Sequence, residues 1–115
     1  MAEGIAESMG GSCGFKIMRG YPFLINEEVL TKNAKTFAED YLGAENVLDL
    51  DIWMAAEDFA YYSQVTDACF YRLGTGNAQK ATTYSVHTPN FDIDEDALKT
   101  STGLMAYIAL KQLGN

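Results

Sequence analysis

The single histidine of this 115-residue chain, His87, has the clearest capacity for chemistry. It lies in the string YSVHTPNFDIDE, after a strand-like run and before a predicted C-terminal helix. An imidazole held at such a boundary could ligate a metal ion or act as a general base. A solitary loop histidine can equally be a hydrogen-bonded structural residue, so site chemistry alone leaves both interpretations open.

Two acids, Glu57 and Asp58, form a second group that could do chemistry, within the string MAAEDFA at residues 54–60. Carboxylates can line an active site, but acids in the first turn of a short helix are also stabilised by the helix dipole. The two roles are compatible. The acids of residues 92–96 lack the central glycine and terminal glutamate of an EF-hand loop, which indicates helix capping rather than calcium binding.

Charge and composition restrict the partners. A formal charge of −8 with no basic run argues against nucleic acid and anionic membranes, because such a surface repels phosphates. No apolar run approaches the roughly 20 residues of a membrane span, and the first residues do not resemble a signal peptide. The sequence therefore predicts an acidic globular protein of the cytoplasm, with Cys13 and Cys69 packed as small buried hydrophobic residues.

The elements that must position these side chains alternate between helices and strands. We predict helices at residues 2–9, 27–42, 57–63 and from about 94 onward. We predict strands at residues 13–19, 47–53 and 68–73. This alternation favours a layered α/β architecture.

The two long helices each show an apolar stripe. Asn26 is the predicted N-cap of the first, whose stripe is Leu30, Ala34, Phe37, Ala38 and Tyr41. The stripe of the last helix is Leu98, Thr102, Met105, Ala109 and Leu113, with Ile108 alongside. These stripes predict the faces that pack inward.

Three blocks of the chain resemble the closing third of the M20 metallopeptidases in order and spacing. They are MAAEDFAYY at residues 54–62, FYRLG at 70–74 and HTPNFDIDEDAL at 87–98. The similarity is greatest to the amidohydrolase branch, which includes hippurate hydrolases, N-acyl-amino-acid amidohydrolases and plant auxin-conjugate hydrolases. Tyr21-Pro22 and Asn26, followed by a helix, resemble the return of that family's chain from its inserted domain to its catalytic domain.

The resemblance implies a longer, two-domain enzyme with an α/β catalytic sandwich that binds divalent metal ions, zinc or else manganese or nickel. Residues 1–24 would be the last helix and strand of a satellite dimerisation domain. Residues 25–115 would be the C-terminal part of the catalytic domain. The implied reaction is hydrolysis of the amide bond of an N-acyl amino acid, a hippurate-like substrate or a small peptide.

Within this resemblance, His87 corresponds to the C-terminal metal-ligating histidine, and Glu57 and Asp58 to a Glu-Asp-Phe block that borders the cleft without transferring protons. The family's Cys-Gly-His-Asp motif, Glu-Glu pair and mid-chain histidine have no counterpart, and Cys13 stands in a different context. Because a catalytic zinc usually needs three protein ligands, we expect no catalytic residue, no tight metal binding and no hydrolysis by this chain alone.

A second hypothesis is a non-catalytic structural or interaction module of the same descent. The first predicted strand has no local hairpin partner, so it would leave a row of backbone groups unpaired. Such an edge could be covered by self-association as a homo-oligomer, or by association with an N-terminal part of the protein.

Overall fold

A computed structural model describes residues 1–114 of the chain. The helices are α1 (Ala2–Ser8), α2 (Glu28–Leu42), α3 (Ala60–Ser63) and α4 (Asp96–Leu113), with a short 3-10 helix at Ala44–Asn46. The Cα radius of gyration is 20.8 Å, whereas a compact chain of about 100 residues has a radius of about 13 Å. The described residues therefore spread out instead of enclosing one core.

Helix α2 begins one residue later than its predicted start. The carboxylate of Glu27 accepts hydrogen bonds from the backbone N–H groups of Val29 and Leu30, at 3.1 and 2.6 Å, so Glu27 is the N-cap. These bonds, the one from Leu30 first, lower the pKa of Glu27. The helix ends at Gly43, whose φ of 88° is readily adopted by glycine. The prediction of Asn26 as N-cap is wrong.

Asn26 instead ties the start of α2 to a distant segment. Its side-chain amide donates to the carbonyl oxygen of Phe70 at 2.8 Å and accepts from the Phe70 N–H at 2.7 Å. The N–H of Glu27 also donates to the carbonyl oxygen of Ala68 at 2.8 Å. A side chain thus satisfies backbone groups that a neighbouring strand would otherwise satisfy.

Replacing Asn26 with alanine is expected to lower the free energy of unfolding by about 1–3 kcal/mol, because both polar groups of the Phe70 backbone lose their partner in a half-buried place. Urea unfolding followed by circular dichroism measures the change. Asn46→Ala is the matched control, because the exposed Asn46 amide bonds only to Leu42 and Glu45, so we expect about 0.5 kcal/mol or less. Equal losses in the two variants would contradict the role of Asn26.

The packed centre of the described chain lies between α2 and α4. Leu104 is 3% exposed, and Ala34 is also buried. Tyr41 of α2 stacks obliquely on Tyr107 of α4, with ring centroids 5.3 Å apart. At Gly103 a side chain would collide with the Tyr41 hydroxyl, so the absence of a Cβ lets the two helices approach closely.

The predicted inward face is correct in part for α2 and wrong for α4. Ala34 is buried and its stripe neighbours are mostly half-buried, as the α2 pattern predicts. In α4, however, Leu98, Met105 and Leu113 are exposed and Leu104 is buried. The sequence of α4 carries apolar residues on more than one face, so the position of α2 decides which of them is covered.

The predicted strands are segments without regular secondary structure and without ladder partners among residues 1–114. Leu48, Ile52 and Met54 are exposed. Cys13 is exposed as well, so the prediction of its burial is wrong, and Cys69 is half-buried. A strand needs a neighbour to satisfy its backbone groups, and the described residues do not supply one. The α/β sandwich is therefore not confirmed and stays a prediction.

Candidate functional site

His87 lies in a loop from Thr75 to Asp94 that is closed at its base. The N–H of Asp94 donates to the carbonyl oxygen of Thr75 at 2.9 Å, which brings the two ends together. An inner turn forms where the N–H of Asn77 donates to the hydroxyl of the buried Thr82 at 2.9 Å, and the N–H of Thr82 returns a bond to the Asn77 carbonyl at 3.0 Å. Residues 83–93 project from this base.

The base is held by a polar group that we call the Asp94 clamp, formed by Asn77, Lys80, Asp94 and Asp96. One carboxylate oxygen of Asp94 accepts from the Lys80 ammonium at 2.6 Å, and the other accepts from the Asn77 amide at 2.6 Å. Lys80 also pairs with the exposed Asp96. The carboxylate of Asp94, at the C-terminal end of the loop, thus binds two donors at its N-terminal end.

The clamp should weaken in acid. The hydrogen bond from Lys80, followed by the one from Asn77, lowers the pKa of Asp94 from 3.8 to about 2. Because folding lowers the pKa of Asp94, the clamp contributes its full stability at pH values above the ordinary pKa of an aspartate. We expect this contribution to be lost as the pH falls from about 4 to about 2. The same pair raises the pKa of Lys80, through Asp94 first, so the pair should survive mild alkali.

Carboxyl carbon NMR of the Asp94 side chain tests this pH dependence directly. We expect a titration midpoint near 2 in the natural chain and a midpoint closer to 3.8 in the Lys80→Gln variant. A midpoint that is the same in both chains would contradict the role of Lys80.

His87 itself has an unusual backbone and a free side chain. Its φ is 65°, in the left-handed region that non-glycine residues seldom adopt. The imidazole is exposed and makes no hydrogen bond with any residue in the described range 1–114. Around it, the Thr88 hydroxyl donates to the Ser85 carbonyl at 2.8 Å, and the Phe91 N–H donates to the Thr88 carbonyl at 3.1 Å. The imidazole is therefore accessible, and its role as a metal ligand stays a prediction.

Glu57 and Asp58 lie in the turn that leads into α3. The Glu57 carboxylate accepts from the N–H of Phe59 at 3.1 Å, so part of its role is to cap this turn. Asp58 is exposed. The Phe59 ring anchors the turn against Tyr62 and Phe70, with centroid separations of 5.4 and 5.5 Å. The predicted helix at 57–63 is therefore shorter, beginning at Ala60 after this capped turn.

A largely apolar groove of about 350 Å³ lies between α2, α4 and the segment from Phe59 to Tyr71. Its wall includes Leu30, Ala34 and Ile108. Neither His87 nor Glu57 nor Asp58 lines it. The structure therefore does not gather the three predicted site residues around one cavity.

The described residues do not by themselves make a metal site. The exposed imidazole of His87 suits zinc or a similar ion. However, residues 1–114 contain no group of three or more His, Cys, Asp or Glu side chains that could hold a metal. A zinc site usually needs three protein ligands, so His87 alone does not suffice.

The Asp94 clamp is the part of this region that sequence reasoning missed. The sequence pattern assigns residues 74–83 to no helix or strand, and it indicates Asp94 only as an acid near the start of the last helix. A signal was present, since Lys80 is a lone cation between Arg72 and Lys99 in a chain of net charge −8 with acids at 94–96. Charge alone does not reveal which of those acids lies near it.

Comparison with known proteins identifies the chain's relatives. It is 33% identical over 110 residues to the Bacillus subtilis protein YhaA, whose name marks it provisionally as an amidohydrolase, covering 96% of this chain and 28% of YhaA. It is 33% identical over 95 residues to IAA-amino acid hydrolase ILR1-like 6 of Arabidopsis thaliana, covering 83% of this chain and 20% of that protein. Thermostable carboxypeptidase 2 of Saccharolobus solfataricus is 29% identical over 103 residues, covering 89% of this chain and 25% of the relative.

The chain thus spans less than a third of the length of these relatives. No solved structure matches it significantly. Within residues 1–114, every helix is too short or too polar to cross a membrane. The sequence pattern of Peptidase family M20/M25/M40 matches residues 4–111, which is nearly the whole chain, and its members are generally metal-dependent hydrolases. The chain therefore belongs to the M20/M25/M40 peptidase family.

Proposed function

We propose that this chain acts as the C-terminal portion of a metal-dependent amidohydrolase that cleaves the amide bond of N-acyl amino acids, hippurate-like compounds or small peptides. The family match over residues 4–111 supports hydrolase chemistry. The names of the plant and archaeal relatives, an IAA-amino acid hydrolase and a carboxypeptidase, support an amide-linked substrate that contains an amino acid.

One observation carries the assignment of the site. His87, the sole histidine, has an exposed imidazole and a left-handed backbone, and it lies within the closed loop from Thr75 to Asp94. Backbone strain of this kind persists where the surrounding structure enforces it, and such strain concentrates at functional sites. We propose His87 as one ligand of a divalent ion, zinc or else manganese or nickel, in the whole protein.

The remaining roles follow from that ligand assignment. We propose that Glu57 and Asp58 border the same cleft in the whole protein and that neither transfers a proton. In this proposal residues 1–24 belong to the dimerisation domain and residues 25–115 to the catalytic domain of a cytoplasmic homodimer. The chain then contributes binding and positioning but no general base, so it is inactive by itself.

Two preparations test this proposal. The 115-residue chain, with zinc, manganese or nickel, should release no amino acid from N-benzoylglycine or from an indole-3-acetyl amino acid. A chimera in which this chain replaces the matching segment of YhaA should bind metal and hydrolyse one of these substrates. Turnover by the chain alone would contradict its inactivity, and a folded, metal-loaded chimera without turnover on any amide would contradict the function.

A second candidate function is that of a self-associating, non-catalytic module. The observation that favours it is the alternation of exposed apolar residues along a predicted strand that has no partner among residues 1–114, namely Leu48, Leu50, Ile52 and Met54. Such an edge pairs readily with another chain. We expect oligomers in size-exclusion chromatography with light scattering, and fewer of them in an Ile52→Lys variant. A monomer at high concentration would contradict this candidate.

A further inference from the structure

The Asp94 clamp joins the two ends of the segment that presents His87. Asp94 contacts Asn77 and Lys80 on one side of the loop, while its own N–H binds Thr75. Its side chain is 14% exposed, whereas that of Asp96, the second acid on Lys80, is 86% exposed. His87 lies midway between Lys80 and Asp94 in the sequence, so a bond between these two closes the chain symmetrically around it.

We propose that Asp94 is a positioning residue, which acts through Lys80 and Asn77 to hold the loop that carries His87 in one conformation. The importance of this positioning for function rests on the proposed role of His87 as a metal ligand. The effect of Asp94 on the conformation of the loop does not depend on that role.

Chain connectivity explains why this contact should order the loop. Without the Lys80 and Asn77 bonds, the inner turn would keep its own hydrogen bonds, but only the backbone bond from Asp94 to Thr75 would join the two ends of the loop. With them, the inner turn from Asn77 to Thr82 is anchored, and the free part shortens to residues 83–93. A shorter closed loop loses less conformational entropy when it becomes ordered. The hydrogen bond from Thr88 to Ser85 inside the loop can therefore hold it in one conformation.

A left-handed residue needs such support. The αL conformation costs a residue with a Cβ roughly 1–2 kcal/mol, so a loosely tied loop would relax His87 toward the ordinary regions of φ. The observed φ of 65° therefore requires constraint from both sides. On the C-terminal side the bound carboxylate of Asp94 provides that constraint, and on the N-terminal side the inner turn does.

Amide relaxation by NMR on the 115-residue chain tests this role. In the natural chain we expect order parameters near 0.85 for residues 84–90, and values below about 0.6 in Asp94→Ala and Lys80→Gln. Lys80→Arg keeps the cation and should preserve the order. Asp96→Ala is the matched control, because it removes an acid that also contacts Lys80 but is largely exposed.

The possible results distinguish a positioning role of Asp94 from a general effect on folding and from the proposed metal binding by His87. Circular dichroism melting reports whether α2 and α4 remain folded in each variant. A loop that stays ordered in Asp94→Ala, or one that loosens equally in Asp96→Ala, would overturn the positioning role. If Asp94→Ala proves unfolded, Lys80→Gln compared with Lys80→Arg still decides it. Activity of the YhaA chimera without His87 would overturn the ligand proposal only, since loop order does not depend on a bound metal.

Discussion

Replacing Leu104 with alanine is expected to lower the free energy of unfolding by about 2–4 kcal/mol and to separate α2 from α4. Leu104 is 3% exposed and is the one large apolar side chain that residues 1–114 bury; the other buried apolar residues are alanines. Removing it deletes the packing of its side chain and leaves a cavity that short neighbours cannot fill. Thermal and urea unfolding followed by circular dichroism measure the loss.

Leu110→Ala provides the matched control on the same helix. Leu110 is 70% exposed, so the same chemical change should cost no more than about 0.5 kcal/mol. Because alanine also has the higher helix propensity, the control separates helix formation from packing. Equal unfolding midpoints for the two variants would show that the α2–α4 contact is not the stabilising centre of the chain.

The existence of the long helices was predictable because their signals are local. Acids near the start and Gly43 at the end bound α2, and three- and four-residue spacing of apolar side chains marks its covered face. The N-cap was misplaced because Asn26 and Glu27 are adjacent polar residues, and only the distant Phe70 backbone shows which of them is otherwise engaged. The buried face of α4 was misplaced for a similar reason, since it depends on where α2 lies.

The predicted strands also show the difference between local signals, which the sequence carries, and contacts between distant residues, which it does not reveal. Alternation of apolar and polar residues at 47–53 predicts a strand, and the structure has no regular secondary structure there. Pairing is a non-local property, and residues 1–114 supply only isolated contacts such as Arg72 over the ring of Trp53 at 4.0 Å. The alternation therefore leaves the strands and their sheet as predictions, because pairing depends on residues that are distant in the sequence.

For the candidate site, sequence identified the residue but not its support. His87 and its flanking proline and acids were recognisable as a pattern, and its place in a loop is confirmed. Its left-handed φ and the closure of the loop through Asp94 were not predictable. The loop closure and the backbone of His87 depend on which of several acids Lys80 contacts. The path of the chain between Lys80 and those acids decides this.

His87→Ala in the YhaA chimera is expected to reduce kcat/KM by more than about 100-fold. Loss of a residue that merely orients a metal ligand typically costs 10–100-fold, so loss of a ligand itself should exceed that range. Steady-state hydrolysis of N-benzoylglycine, together with the metal content of the purified protein, measures the effect. We expect both activity and bound metal to fall, because the other ligands cannot complete the coordination without the imidazole.

His87→Asn is the control for the backbone. Asparagine adopts the left-handed region more readily than most residues, so the loop should keep its conformation while the imidazole is removed. The asparagine variant should therefore melt like the natural chain, whereas alanine lacks the short polar side chain that lets asparagine adopt that region at low cost. Both should lose activity to a similar extent. An asparagine variant that retains activity within about threefold and keeps its metal would show that His87 serves the loop and not the ion.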